Sequence, residues 1–370
     1  MPLDVANPAQ GTSARPTNRL AIIDSDIHPA VKSLSDLRPY LSNQWWDYAN
    51  TYGFRRKHGS ATVEPYPKSA PLASRRDAWP QDGGRPGSSL ELMQKQYLDP
   101  AGVEHGILGP LGPTGQGDVN LDFSAAMCRA TNEWQRDAWT RRDKRLKAAV
   151  VVPFEDGLAS AEEIERIGAQ SDYAQVFCLT RTSDPAGNRR YWPIYAAAER
   201  YNLPVAFHVF GTSGHPVSGA GWPSYYIEEG AHHSISCQTA VTSLVMEGVF
   251  ERFPKLKVVM VEGGFAWLPS LAWRLDKLFE RMRAEVPHLK QRPSDYIRQH
   301  VWVSSQPMEE PDDRHQFLDM MGWLGWDRLL FASDYPHWDF DDPFRAFPAG
   351  VTQDQHRMVC AENGLKVYRI

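Results

Sequence analysis

No apolar run in this chain approaches the roughly 18 residues that a membrane-crossing helix requires, so no membrane role is expected. An excess of basic charge is also missing. Forty Lys and Arg stand against 45 Asp and Glu, for a net charge of −5 with the signs interspersed. Without a basic patch, nucleic acid is not an expected partner. Cysteine is scarce: Cys128, Cys178, Cys237 and Cys360 lie far apart and form no Cys-x-x-Cys pair. That spacing speaks against a disulfide framework and for free thiols in a reducing cytoplasm. No Gly-x-Gly-x-x-Gly fingerprint follows the first apolar run, which removes support for a doubly wound dinucleotide fold. The loop Gly109–Asp118 is rich in glycine but lacks the Gly-Lys-Ser/Thr ending of a phosphate loop, and reads as a tight connection. Residues 1–19 are polar, without the apolar centre of a signal peptide, and read as a mobile tail.

What the chain does have is alternation. With 370 residues, 42% of them hydrophobic, it can build one large domain. Eight short segments read as strands: one opening the stretch Leu20–Pro29 and ending in Asp26 and His28, then Val103–Leu108, Leu146–Val152, Ala174–Leu179, Pro204–Val209, Leu256–Val261, Val301–Ser304 and Arg328–Ala332. Amphipathic segments follow them, including Asn120–Arg142, Ala159–Ala169, Trp192–Tyr201, His233–Phe250, Trp267–Arg283, Arg314–Leu324 and Gln353–Tyr368. Strands alternating with helices imply βαβ units and a parallel sheet. Eight such units over this length predict a (β/α)8 barrel across residues 20–370. The long Pro-, Gly- and Arg-rich stretch 30–88 is too thin in apolar residues for a core of its own. It reads as an inserted lid or dimer contact, and a homodimer or higher oligomer is expected.

The strand ends carry the chemistry. Asp26 and His28 alternate by two, so both leave the first strand on one face. His208 ends the fifth strand and Glu262 the sixth. Asp334 ends the eighth, with His337 three residues on. Each alone has an ordinary explanation: a helix cap, a satisfied core histidine, a hydrogen bond to a glycine turn. A closed barrel, however, gathers all C-terminal strand ends at one mouth. Two imidazoles and several carboxylates converging there suit a divalent metal such as Zn, Mn or Fe.

At these residues the chain resembles the amidohydrolase superfamily, in the branch typified by aminocarboxymuconate-semialdehyde decarboxylase. The matching stretches are Ile23–Pro29, Pro204–His208, Glu247–Pro254, Val261–Pro269 and Phe331–His337. In that family the first strand usually offers His-x-His. The pair Asp26-x-His28 is similar to the carboxylate-x-His version of resorcylate-type decarboxylases. His208 and Asp334 match the family's fifth-strand His and eighth-strand Asp, while Glu262 stands where many members keep a catalytic His. The fourth strand, Ala174–Leu179, lacks the bridging lysine of binuclear members. One ion is therefore the default; a second would need Glu262 as a bridge and His233 or His232 as a further ligand.

The resemblance implies an enzyme acting on a small molecule. Hydrolysis of an amide, ester or thioester through a metal-activated water is the leading expectation, with Asp334, Glu262 and His233 as the groups handling protons. The alternatives are non-oxidative decarboxylation, with Arg181 and His337 contacting the substrate, and oxidation at a dinuclear iron or iron–manganese centre. A barrel without catalysis is disfavoured by the intact set of strand-end ligands.

Overall fold

The computed structural model describes residues 20–55, 71–211 and 215–370. The tail expected over 1–19, the middle of the 30–88 excursion and three residues of the loop after the fifth strand lie outside the described residues.

Eight strands form one parallel sheet in sequence order: β1 (Ile22–Ile27), β2 (Val103–Leu108), β3 (Leu146–Val151), β4 (Tyr173–Arg181), β5 (Val205–Gly211), β6 (Val258–Val261), β7 (Val301–Ser304) and β8 (Leu329–Leu330). The sheet closes on itself. Ser25 N–H bonds the Phe331 carbonyl, His28 N–H bonds that of Tyr335, and Ile27 bridges Tyr335 in parallel. The (β/α)8 barrel is thus present, and helices fill the connections.

Register explains how the site is placed. Leu179, His208 and Val261 lie side by side on β4, β5 and β6, and Phe177 pairs with Ala206. Ile107, Ala149, Phe177, Ala206, Val259, Val261 and Leu330 form a small apolar cluster, closed at one end by Tyr368. It is distinct from the larger cluster formed with the helices. His208 sits two residues after Ala206, so the pleat carries it to the same inner face, one layer nearer the mouth. Full burial of an aromatic or branched side chain contributes roughly 1.5–3 kcal/mol. This plug offsets part of the cost of the buried polar layer above it.

Local departures from the expected elements have local causes. The helix expected over 233–250 is two, His233–Met246 and Val249–Arg252, separated where Gly248 adopts φ 74°. Gly is the residue that enters this left-handed region without strain. The long helix over 120–142 runs as Leu121–Gln135, then widens to π geometry over Arg136–Thr140. Part of the 30–88 excursion packs into the main core through Val31, Leu37, Leu41 and Ala49. Trp45, Tyr48 and Phe54 surround Phe123, with ring centroids 4.8–5.8 Å away. No helix among the described residues is long and apolar enough to cross a membrane.

Candidate metal centre

Six predicted residues meet at the mouth. Asp26, His28, His208 and Glu262 each offer a ligand atom, all within 4.8 Å of one another; His28, Asp334 and His337 form a second such group. His28 Nε2 lies 3.4 Å from Asp26 Oδ1 and 2.9 Å from Asp334 Oδ1. His208 Nε2 lies 2.8 Å from Glu262 Oε2 and 3.8 Å from Asp26 Oδ2. Asp26, His28, His208 and Asp334 are 0–4% exposed.

Each imidazole has one nitrogen committed elsewhere. His28 Nδ1 is 2.6 Å from the Gly109 carbonyl, and His208 Nδ1 is 2.7 Å from that of Val209. A carbonyl only accepts, so both Nδ1 atoms carry a proton, and both Nε2 atoms face the carboxylates. This is the tautomer that metal-binding histidines adopt. His28 Nε2, His208 Nε2, Asp26 Oδ2 and Glu262 Oε2 are buried and have no hydrogen-bond partner. Orphaned buried acceptors of this kind are costly. With neutral imidazoles the three carboxylates leave a buried triple negative charge, which a divalent cation offsets; the donor set therefore fits such an ion. Because His28 has only Nε2 to give, the two overlapping groups describe one place for an ion.

The electrostatics follow. Burial opposes protonation of both histidines. Even so, Asp26 and Asp334 around His28, and Glu262 and Asp26 around His208, lift both above the ordinary imidazole value. Burial also opposes ionisation of Asp334, but the imidazoles of His337 and His28 outweigh it and hold that carboxyl well below the usual range. His337 Nδ1 is 2.5 Å from Asp334 Oδ1, and its ring stacks on His28 at 4.6 Å. Burial, together with the charges of Asp334 and Glu262, pushes Asp339 up to about 7.

Two of the carboxylates reach the cluster by an unusual backbone route. Glu262 has φ 61° and Asp334 φ 58°. Left-handed backbone at a non-glycine residue costs of order 1–3 kcal/mol and persists where the surroundings fix it.

Arg181 departs from its predicted role. Its guanidinium donates to the His215 carbonyl and lies 3.5 Å from Glu229, both side chains being 6–7% exposed. It ties the loop after β5 to the barrel instead of turning to the cluster. Breaking such a buried pair costs about 3–5 kcal/mol. His232 and His233 belong to neither ligand group; His233 lies edge-on to Phe210 at 4.9 Å. Arg85 was not singled out in the sequence. It lines a cavity of about 510 Å³ together with His28, His337, Phe54, Leu72 and Leu111. The tight contact of Gly87 with the His28 carbonyl, where an added Cβ would stand 2.4 Å from that oxygen, anchors the loop carrying Arg85. No motif marks an arginine placed this way; only the folded loop shows it.

The amidohydrolase family model matches residues 23–370, and the chain belongs to that family. Among individual relatives, the gamma-resorcylate decarboxylase of Rhodococcus jostii (strain RHA1) is 24% identical over 292 residues, covering 73% of this chain and 84% of the relative. Of solved structures, 5-carboxyvanillate decarboxylase LigW from Sphingomonas paucimobilis superposes with a TM-score of 0.67 at 20% identity, covering 95% and 99% of the two chains. The dihydroxybenzoic acid decarboxylase of Polaromonas sp. JS666, with bound manganese and the inhibitor 2-nitroresorcinol, gives a TM-score of 0.63 at 15% identity, covering 94% and 96%. These structural likenesses speak for the barrel fold.

Proposed function

We propose that this protein is a metal-dependent, non-oxidative decarboxylase of a small aromatic carboxylic acid. The observation that carries the reading is the set of buried, partnerless ligand atoms on Asp26, His28, His208 and Glu262. The apolar cavity beside them has His28 and His337 in its wall. Support also comes from the decarboxylases among its relatives, which turn the balance away from the hydrolysis expected from sequence.

Asp26, His28, His208 and Asp334 would hold the ion, with Glu262 as a fifth donor; manganese, found in the Polaromonas relative, suits this oxygen-rich set. When bound, such a cation would supply positive charge against the substrate carboxylate. The chain's own residues do the rest. Phe54, Leu72 and Leu111 receive the ring and exclude water. Arg85, at the cavity wall, attracts the acid. Loss of carbon dioxide leaves the bonding pair on the ring carbon, which then takes a proton. The hydrogen-bonded pair of Asp334 and His337 is placed to supply it. The described parts of the 30–88 excursion would serve as a cover: Leu34, Phe54, Leu72, Arg85 and Pro86 all reach the cavity from them.

Hydrolysis stands second, on one feature: Glu262 occupies the sixth-strand position and could take a proton from water. The test is a panel of hydroxybenzoic acids and of aryl esters and amides, with manganese or zinc supplied. Carbon dioxide released from an acid, suppressed by chelator, is the expected outcome. Ester or amide cleavage without carbon dioxide release would return the protein to the hydrolases.

A further inference from the structure

Strand β7 supplies none of the candidate ligands, yet the residues at its tip touch both neighbours that supply the strained ones. The Ser304 hydroxyl accepts the Glu262 N–H at 2.9 Å and donates to the Gln306 carbonyl at 3.0 Å. Gln306 Nε2 donates to Asp334 Oδ2 at 3.1 Å. The Ser305 hydroxyl accepts the Ala332 N–H at 3.1 Å, and Ser305 N–H bonds the Leu330 carbonyl at 2.8 Å. All three side chains are at most 1% exposed. In the sheet β7 lies between β6 and β8, so one short segment grips the two turns that present Glu262 and Asp334 in left-handed backbone.

We propose that the Ser304–Gln306 tip of β7 positions these two carboxylates for the cation. Ser304 fixes the backbone turn under Glu262, and Gln306 fixes the plane of the Asp334 carboxylate. The proposal rests on the metal-site reading above. The choice of an amide is informative. As a neutral donor it occupies Oδ2 without neutralising the carboxylate, as a lysine would, and without contributing an acidic proton of its own. Oδ1 is thereby left toward His28 Nε2 at 2.9 Å and His337 Nδ1 at 2.5 Å. The arrangement has a structural cost. Gln306 Oε1 is buried with no partner, and an unsatisfied buried acceptor costs about 1–3 kcal/mol. A residue kept only for packing would shed that cost by becoming leucine or methionine. Outer groups of this sort typically account for 10–100-fold in metal affinity.

The test uses the full-length, metal-depleted protein. Manganese(II) and zinc(II) dissociation constants are measured by chelator competition, and Tm without metal is recorded alongside. Gln306→Leu is expected to weaken both ions by about 10–100-fold, while the metal-free Tm stays close to wild type, because losing the orphaned Gln306 Oε1 offsets taking the donor from Asp334 Oδ2. Ser304→Ala is expected to weaken them in the same direction, and Ser304→Thr, which keeps the hydroxyl, to restore the affinity. Wild-type affinity in both Gln306→Leu and Ser304→Ala would overturn the proposal. If Gln306→Leu does not fold, the Ser304→Ala and Ser304→Thr pair decides it. A wild-type protein that binds neither ion would overturn the metal-site reading itself, which separates the two failures.

Discussion

Strands β1 and β8 are neighbours across the seam of the barrel, and each delivers a carboxylate to the same buried cluster by a different means. On β1 the pleat does it, past a shift in register between Asp24 and Ile27. Asp26 and His28 are two residues apart on an extended chain, so both point inward. At β8 the ladder ends at Leu330, and Asp334 is turned toward the cluster by left-handed backbone. That turn is propped from outside. Asp24 accepts the Ser333 N–H and hydroxyl, the Asp26 carbonyl accepts the Asp334 N–H, and Gln306 holds Oδ2. A ligand delivered by the pleat depends on its own strand. One delivered by a strained turn depends on side chains hundreds of residues away.

Removing a pleat-delivered ligand has the largest expected effect. His208→Ala takes away a lone pair whose orientation the Val209 carbonyl sets. Metal affinity should fall by more than about 100-fold, beyond what an outer partner's loss causes, with circular dichroism unchanged. Retained metal by elemental analysis would show that His208 is no ligand. Glu262→Gln tests the turn-delivered kind. It keeps shape but removes the charge 2.8 Å from His208 Nε2, so a drop of about 10–100-fold in affinity is expected, with turnover falling alongside. Normal metal content together with normal turnover would reduce Glu262 to a structural hydrogen bond.

Arg85→Ala should be milder. It lies on the cavity wall, not in the cluster, so KM for an acid substrate should rise by roughly tenfold, the worth of about 1.4 kcal/mol, at unchanged metal content. An unaltered KM would remove it from substrate binding.

The smallest effect concerns the carboxylates crowded behind β8. Burial, with Glu310 and Asp334 nearby, pushes Asp341 up to about 7. Between pH 4 and 7 the native state therefore holds more protons on this group than the unfolded chain does. Its contribution to stability is full below the unfolded value and is lost as pH rises through 7. Urea unfolding of metal-depleted protein should show Asp341→Asn gaining on the wild type from pH 5 to pH 8; parallel pH profiles would contradict the assignment.

The same contrast explains what was legible in the sequence. Period and apolar runs revealed the eight strands, because a parallel strand is buried on both faces and must read as continuous apolar sequence. Asp26, His28 and His208 could be read from alternation alone. Glu262 and Asp334 were visible as strand-end residues, but not the left-handed backbone that aims them, since neither is a glycine. The pairing of Arg181 with Glu229, 48 residues on in the short helix Tyr226–Ala231, was not legible because no local pattern encodes the path between them. Arg85 and Gln306 went unremarked for the same reason. Their significance is a matter of which distant atom they face.

The central claim is one divalent cation held by this cluster. The most direct measurement is elemental analysis of protein purified without added chelator or reloaded with manganese, scored as atoms per chain. One equivalent is expected, lost in His208→Ala. Two equivalents would contradict the single-ion site, and none after reloading would contradict the metal centre altogether.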